Sequence, residues 1–366
     1  MTRICLVIHS LSIGGMERVM SLLANNFAER EDTEVHLVLI GIKREVHYPV
    51  DSSVHIHRPD FTFKNSRRTF DTLRTMSFIR SEVKSIEPDT VLSFGEMWNN
   101  MVLLSLYGLR FPIYISERSQ PGKNLGRLHN FLRNKLYPAA AGYIAQTEKA
   151  KQICLGNKWN GNVKVIGNPI RRVEKNPAVK KENIILTVGR LIKTKHFDHL
   201  IEIFSEIDHS AWKLMIVGGD AKKLKLSEEL QQKVEELKMG DRILLEGQQK
   251  DVDSYYSKSK LFAFTSSSEG FPNAIGEALS AGLPVVAYDC EAGPSDMISD
   301  GENGYLVPLF DKEKFRNKLH QLMENDELRE RFGDKSNLKL QNFEESKVAQ
   351  SFYDFILENN ELDKKK

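Results

Sequence analysis

The stretch S-S-S-E-G-F-P-N-A-I-G-E-A-L-S-A-G-L-P-V-V-A-Y-D, residues 266–289, sets Glu269 and Glu277 on either side of a tight Gly-Phe-Pro-Asn turn. Two chemistries fit that spacing. Acids stabilise a helix N-terminus through its partial positive charge. Alternatively, the N-terminus receives an anionic ligand and the acids hold that ligand's neutral parts. Asn273 suits the N-cap and Pro272 fixes the chain that enters it. Glu277 then sits about one turn inside the helix, with its side chain tilted back toward the mouth. Gly270 lets the backbone come close enough for its amides to meet phosphate oxygens. Glu269 is repelled by a phosphate and is left to hydroxyls or a developing cation.

A second cluster bears on the choice. In G-R-L-I-K-T-K (189–195), Arg190 follows an apolar run directly and Lys195 comes five residues later. Alone, this is equally well a solvated basic loop. Two cations so placed can also neutralise a diphosphate from two sides, Arg with a planar fork. Together with E-G-F-P-N they make a nucleotide diphosphate bearing a sugar the economical ligand.

These residues need a scaffold that brings loop ends together. Short runs rich in Val, Ile and Leu alternate with helical patterns along the whole chain. In the first half they are 3–9, 34–41, 90–95, 111–117 and 142–147; in the second, 183–190, 213–219, 242–247, 261–267 and 283–289. Such runs predict parallel sheets covered on both faces. The 366 residues exceed one ordinary core. Two series therefore predict an α/β protein of two doubly wound, Rossmann-like domains, with ligands beyond the strand C-terminal ends and a cleft between facing sheets. Two prolines and a basic run place the junction within 167–183. The expected domains are 1–168 and 169–345, with 346–366 a C-terminal helix packing back on the first domain.

Composition narrows the classes. With 40% apolar and 28% charged residues the chain is an ordinary globular one. No window offers the ~20 apolar residues of a membrane span. Cys5, Cys154 and Cys290 lack metal-ligand spacing and read as small buried hydrophobes in a reducing compartment. Residues 1–170 carry 22 Lys+Arg against 15 Asp+Glu, and the remainder 30 against 35. A basic half predicts an anionic partner. Nucleic-acid reader motifs are missing, so an anionic membrane surface is the expectation. Two segments could present it: 63–85, with Arg67, Arg68, Arg74 and Arg80 among apolar residues, and 122–138, with Lys123, Arg127, Arg133 and Lys135. A solvated helix face is the plainer alternative for each.

S-I-G-G-M-E-R-V, V-G-R-L-I-K-T-K-H-F-D-H-L-I, E-G-F-P-N-A-I-G-E-A-L-S-A-G-L-P-V-V-A-Y-D and G-P-S-D-M-I-S-D-G-E-N-G-Y-L-V, in this order, resemble retaining family 4 glycosyltransferases of the GT-B fold. The resemblance spans nearly the whole chain and implies transfer of a hexose or N-acetylhexosamine from a nucleotide diphosphate sugar, a UDP-sugar by expectation, to a glycan acceptor. It implies that Glu277 binds the ribose and Glu269 the donor sugar near its reacting centre. Arg190 and Lys195 would hold the diphosphate, aided by amides around Gly270, Phe271, Pro272 and Asn273. Gly14 and Gly15 would let the first loop close over the phosphates. Residues 166–168 match the interdomain stretch. The family's His after the strand reading Y-I-S-E-R-S is replaced: Glu117 and Arg118 stand there on the acceptor side, Arg118 being the best match. His9 is a spare candidate or a structural His. The implied reaction needs no metal and no cofactor. Relatives of this kind extend polyprenyl-diphosphate-linked glycans, which implies a cytoplasmic enzyme peripheral to the inner face of the plasma membrane and engaged in cell-surface polysaccharide synthesis. A GT-B nucleotide-sugar epimerase and a non-catalytic binding module are the alternatives.

Overall fold

Alternation of branched apolar side chains decides the layers. In the computed structural model, which describes all residues except 13, 42–45, 175, 177, 222–223, 337–338 and 364–366 (for 359–363 the backbone alone), the chain divides into two units. The first is Met1–Pro169 with Glu345–Lys366, and the second Ile170–Glu344. The change of unit falls one residue after the expected boundary, inside the proline-marked junction.

The first unit holds β1 (Thr2–Ile8), β2 (Thr33–Leu39), β3 (His55–His57), β4 (Thr90–Phe94), β5 (Ile113–Ser116), β6 (Gly142–Ala145) and β7 (Val163–Val165). They form one sheet in the order β3-β2-β1-β4-β5-β6-β7. All pairings are parallel, as Leu6↔Leu37 and Leu6↔Leu92 illustrate. Helices α1 (Gly15–Ala28), α2 (Arg68–Ile86), α3 (Glu96–Ser105), α4 (Arg127–Leu136) and α5 (Glu148–Gly156) connect them. Side chains alternate across a strand. Ile4, Leu6 and Ile8 accordingly pack with α1 and with Phe352 and Phe355 of the C-terminal helix Glu345–Asp363. Cys5 and Val7 face the opposite core with Ile79, Val83 and Val102.

The second unit repeats the scheme with β8 (Ile184–Val188), β9 (Lys213–Val217), β10 (Ile243–Gly247), β11 (Leu261–Phe264), β12 (Val285–Tyr288) and β13 (Gly304–Val307), parallel in the order β10-β9-β8-β11-β12-β13. Its helices include α6 (Phe197–Ser205), α7 (Leu226–Glu236), α8 (Asp253–Lys258) and α9 (Asn273–Ser280). In each sheet the strand order reverses once, between β1 and β4 and between β8 and β11. That reversal opens a crevice at the strand C-terminal ends, where ligands of doubly wound sheets bind. All three cysteines are free and buried. Burial pushes the Cys154 and Cys290 thiols up to about 12, so they behave as the small apolar residues expected.

Candidate active site

At the crevice of the second unit, β8 delivers Gly189 and Arg190, and β11 delivers Thr265 to Glu269. Gly218, at φ +156°, lies so close to Gly189 that a Cβ would stand 1.8 Å from the Gly189 carbonyl oxygen. Only glycine allows that approach. Lys193–Lys195 then form a short 3-10 turn ending in His196, held left-handed at φ 47°. The β11 loop clips this turn in place. Thr265 Oγ1 donates to the Lys195 carbonyl at 2.8 Å, Ser266 Oγ to that of Thr194 at 3.1 Å, and the Ser267 amide to Thr194 at 2.8 Å.

Through these clips Lys195 Nζ meets Glu269 Oε1 at 2.6 Å, with side chains only 16% and 14% exposed. Lys195 also lies 5.0 Å from the centroid of Phe264. Its charge is thus held in place before any ligand arrives. Arg190 is exposed, and its side chain makes no hydrogen bond or ion pair among the described residues.

The turn into α9 departs from expectation in its cap. Asn273 is the first helical residue and Pro272 the N-cap, with no side-chain capping bond. Pro272 brings no N–H, and the Asn273 amide is spent on the Phe271 carbonyl at 3.0 Å. These two positions therefore offer a phosphate less than the sequence suggests. Phe271 is buried edge-on against Phe343 at 5.4 Å, so its side chain belongs to the core. A Cβ at Gly293 would strike the Pro272 ring at 2.1 Å, which pins the turn from behind.

Glu277 comes where one helical turn places it. Its Oε2 accepts from the hydroxyl of the fully buried Tyr256 at 3.1 Å, and Arg171 Nε stands 3.8 Å from Oε1. Arg171 in turn grips Asp253 with two nitrogens, at 2.6 and 2.7 Å. That hydrogen bond holds the Asp253 carboxyl below its usual range. A cavity of about 750 Å³ opens beside this group, lined by Glu277, Arg171, Asp253, Val188 and Lys250. Its volume lies within the ~300–1,000 Å³ usual for small-ligand sites.

In the first unit, Gly14 lies under Glu17, and a Cβ there would stand 2.1 Å from Glu17 Oε2. The Tyr48 hydroxyl donates to the Gly14 carbonyl at 3.1 Å, and Gly15 opens α1. His9 stacks on Trp98 at 5.3 Å and stands 3.4 Å from Glu17. Glu117 does not face an acceptor. It is 4% exposed, paired with Arg133 at 3.1 Å, and takes the Tyr143 hydroxyl at 3.3 Å. Burial pushes its carboxyl up despite Arg133. Arg118 keeps an exposed part; its guanidinium donates to Asn168 and lies 4.4 Å from the centroid of Phe94.

Comparison with known proteins decides the class. Residues 170–339 match the family model described as "Glycosyl transferases group 1". The second unit is a group 1 glycosyltransferase domain. The chain is similar to the amylovoran biosynthesis glycosyltransferase AmsD of Erwinia amylovora, 29% identical with 87% of this chain and 89% of that one aligned. It is 27% identical to the N-acetylgalactosamine-N,N'-diacetylbacillosaminyl-diphospho-undecaprenol 4-alpha-N-acetylgalactosaminyltransferase of Campylobacter jejuni, over 98% of this chain and all of that one. The solved Anabaena Alr3699/HepE, in complex with UDP, superposes with a TM-score of 0.80 at 17% identity, over 96% of this chain and 98% of that one. The architecture of this glycosyltransferase is thus the GT-B fold.

The basic helices of the glycosyltransferase are sorted by burial. Arg133, expected at a membrane, is 3% exposed and engaged with Glu117 and the Lys123 carbonyl. Arg80 donates to the Ser105 and Tyr107 carbonyls. What remains outside is Arg67 and Arg68 with Phe70 and Leu73, and Lys123, Arg127 and Lys135 with Leu128 and Phe131. Among the described residues no helix is long and apolar enough to cross a membrane. Arg171 and Asp253 were missed by sequence reasoning, because Arg171 stands in a basic junction that reads as a linker. Its place two residues beyond Pro169 was the signal.

Proposed function

We propose that this glycosyltransferase moves a hexose or N-acetylhexosamine from a UDP-sugar to a lipid-linked glycan acceptor, with retention of anomeric configuration, in cell-surface polysaccharide synthesis. The observation that carries the donor side is the preformed Lys195–Glu269 pair beside the Glu277 cavity. In this reading the ribose takes Glu277, whose second neighbour Arg171 stands 3.8 Å from its Oε1. The diphosphate recruits Lys195 and the exposed Arg190. Glu269 cannot follow the cation toward phosphate, so it turns its free oxygen to the sugar.

The C1–O bond to the diphosphate breaks as the acceptor oxygen bonds C1 from the same face, and the acceptor's hydroxyl proton passes to the departing phosphate oxygen. Negative charge grows on the departing phosphate, and the cations it has recruited, Lys195 and Arg190, supply the stabilisation. Side chains meet that charge, so the proposal assigns no metal and no cofactor to the reaction. The Campylobacter relative, named for transfer to an undecaprenol-diphosphate glycan, supports the acceptor class. An anionic surface at the cytoplasmic face would be met by Arg67, Arg68, Arg127 and Lys135, each worth ~1 kcal/mol within a Debye length.

Incubation with labelled nucleotide sugars and a membrane lipid extract tests the reading. Label should enter the lipid phase from one UDP-sugar, with the product linkage matching the donor's anomer. Isomerised nucleotide sugar without transfer would replace it by an epimerase. Titration with UDP separates the acids: Glu277→Ala should weaken binding, whereas Glu269→Ala should leave UDP affinity and lower kcat. Equal loss of affinity in both would end that division of labour. Vesicle flotation of the Arg67, Arg68, Arg127 and Lys135 quadruple Glu variant tests the surface, since release from anionic vesicles is expected. A wild type that does not float at low salt would refute membrane contact.

A further inference from the structure

The step from the 3-10 turn into α6 gathers three side chains of metal-binding type outside the roles assigned so far. One ligand-capable atom each from His196, Asp198 and His199 lies within 4.8 Å of the others. They line a cavity of about 540 Å³ together with Lys193, Glu229 and Lys233. The buried Nδ1 of His199 has no hydrogen-bond partner among the described residues, an exception that calls for an explanation. His196 is held at φ 47°, a conformation costly for a residue with a Cβ. Its ring lies beside that of His199, with centroids 4.8 Å apart.

We propose that His196, Asp198 and His199 bind one divalent transition-metal ion, with zinc the best fit. Two imidazoles and a carboxylate are a donor set that zinc accepts at about 2.0–2.2 Å, and Glu229 or water can fill the fourth place. The observed spacing closes onto an ion by rotation of half-exposed side chains. Calcium and magnesium need shells made mainly of oxygen, which this cluster lacks. The local field does not attract cations in general either. Asp198, Glu202 and Glu229 are offset by Lys193, Lys233 and Lys312, the last two paired with Glu202. Affinity must therefore come from nitrogen coordination, which selects borderline metals.

The site is a clamp and takes no part in the transfer. His196 follows Lys195 directly, and its Nε2 lies 2.8 Å from Ser267 Oγ in the loop leading to Glu269. Ser267 thus orients a ligating ring, as outer partners of metal sites do. A bound ion would tie α6, the Lys195 turn and the β11 loop into one rigid piece.

The test uses the untagged full chain, with zinc chloride in calorimetry and cobalt(II) in visible absorption. The wild type should bind one ion, with the intense visible bands of low-coordinate cobalt, and its melting temperature should rise with zinc. Asp198→Asn and His199→Gln should each weaken binding about 10–100-fold and blunt that rise. His55→Gln with His57→Gln, which removes histidines from the separate cluster around His36, should change nothing. No wild-type binding, unchanged binding in both site variants, or loss of binding in the His55/His57 variant would each overturn the proposal. Because the readouts are metal binding and melting, the result stands apart from whether the chain transfers sugar.

Discussion

Glu117 and Glu269 both stand just past the C-terminal end of a parallel strand, and each is matched to one cation. The first pair, with Arg133, is sealed at 4% and 3% side-chain and residue exposure or less, with a tyrosine hydroxyl as third member. The second, with Lys195, is open at 14–16%. Position beyond a strand therefore does not make a glutamate functional. What separates them is whether a ligand can compete for the cation. Arg133 is also committed to the Lys123 carbonyl and the Asn130 side chain, and lies 4.2 Å from the centroid of Trp159. A diphosphate cannot recruit it. Lys195 has one carboxylate and one ring, and can turn.

The largest effect is expected in the sealed pair. Arg133→Met leaves a buried carboxylate without its partner, and breaking such a pair costs about 3–5 kcal/mol. Denaturant unfolding of the purified variant should show that loss in the first unit. Adding Glu117→Gln should recover much of it, since the uncompensated charge is then gone. A loss under ~1 kcal/mol would place the pair with ordinary surface ones.

Lys195→Met should reverse the pattern. Turnover with donor should fall at least tenfold in kcat/KM, about 1.4 kcal/mol of transition-state stabilisation. Stability should fall less than for Arg133→Met, because Glu269 retains a solvent-facing side. Lys195 is nevertheless no free surface cation, so some loss is expected. Near-wild-type turnover would remove Lys195 from the reaction, and the open pair would then be structural like the sealed one.

This contrast also marks how far the sequence could be read. Most strands were legible because each lies within a longer apolar run, whether the strand is seven residues, as in T-R-I-C-L-V-I, or four, as in L-F-A-F. The short strands β3, β7 and β13 were not, since H-I-H, V-K-V and G-Y-L-V present three or four residues without a sustained apolar run. Lys195 and Glu269 were legible as candidate site residues because motif and loop position agreed. That they bind each other was not, since nothing in sequence pairs positions 74 residues apart. Glu117 misled for the same reason. Its partner sits on an amphipathic helix whose basic residues look alike until burial separates Arg133 from Arg127. The cap of α9 shows a local limit: Asn273 has the preferred chemistry, but Pro272, packed so closely on Gly293 that a Cβ there would stand 2.1 Å from its ring, takes the N-cap place instead.

A third pair extends the comparison to the exposed end. Arg171 and Asp253 are 37% and 20% exposed, and their hydrogen bonds lower the Asp253 carboxyl below its usual value. A carboxyl whose folded pKa is depressed stabilises the fold above its unfolded pKa of about 3.9, and that contribution fades as pH falls through the folded value. Arg171→Gln should therefore destabilise the chain slightly at neutral pH, within the ~1 kcal/mol typical of exposed pairs. The difference from wild type should stay level down to about pH 5 and shrink below about pH 4, as Asp253 protonates in the folded variant, which lacks the Arg171 hydrogen bond, before it does so in the folded wild type. Denaturant unfolding at a series of pH values, at low and high salt, checks this. A difference that persists unchanged to the acid side would mean that Arg171 acts by packing its stem beside Glu277. Its charge would then be free for the ligand, and the graded series of sealed, open and exposed pairs would end at Lys195.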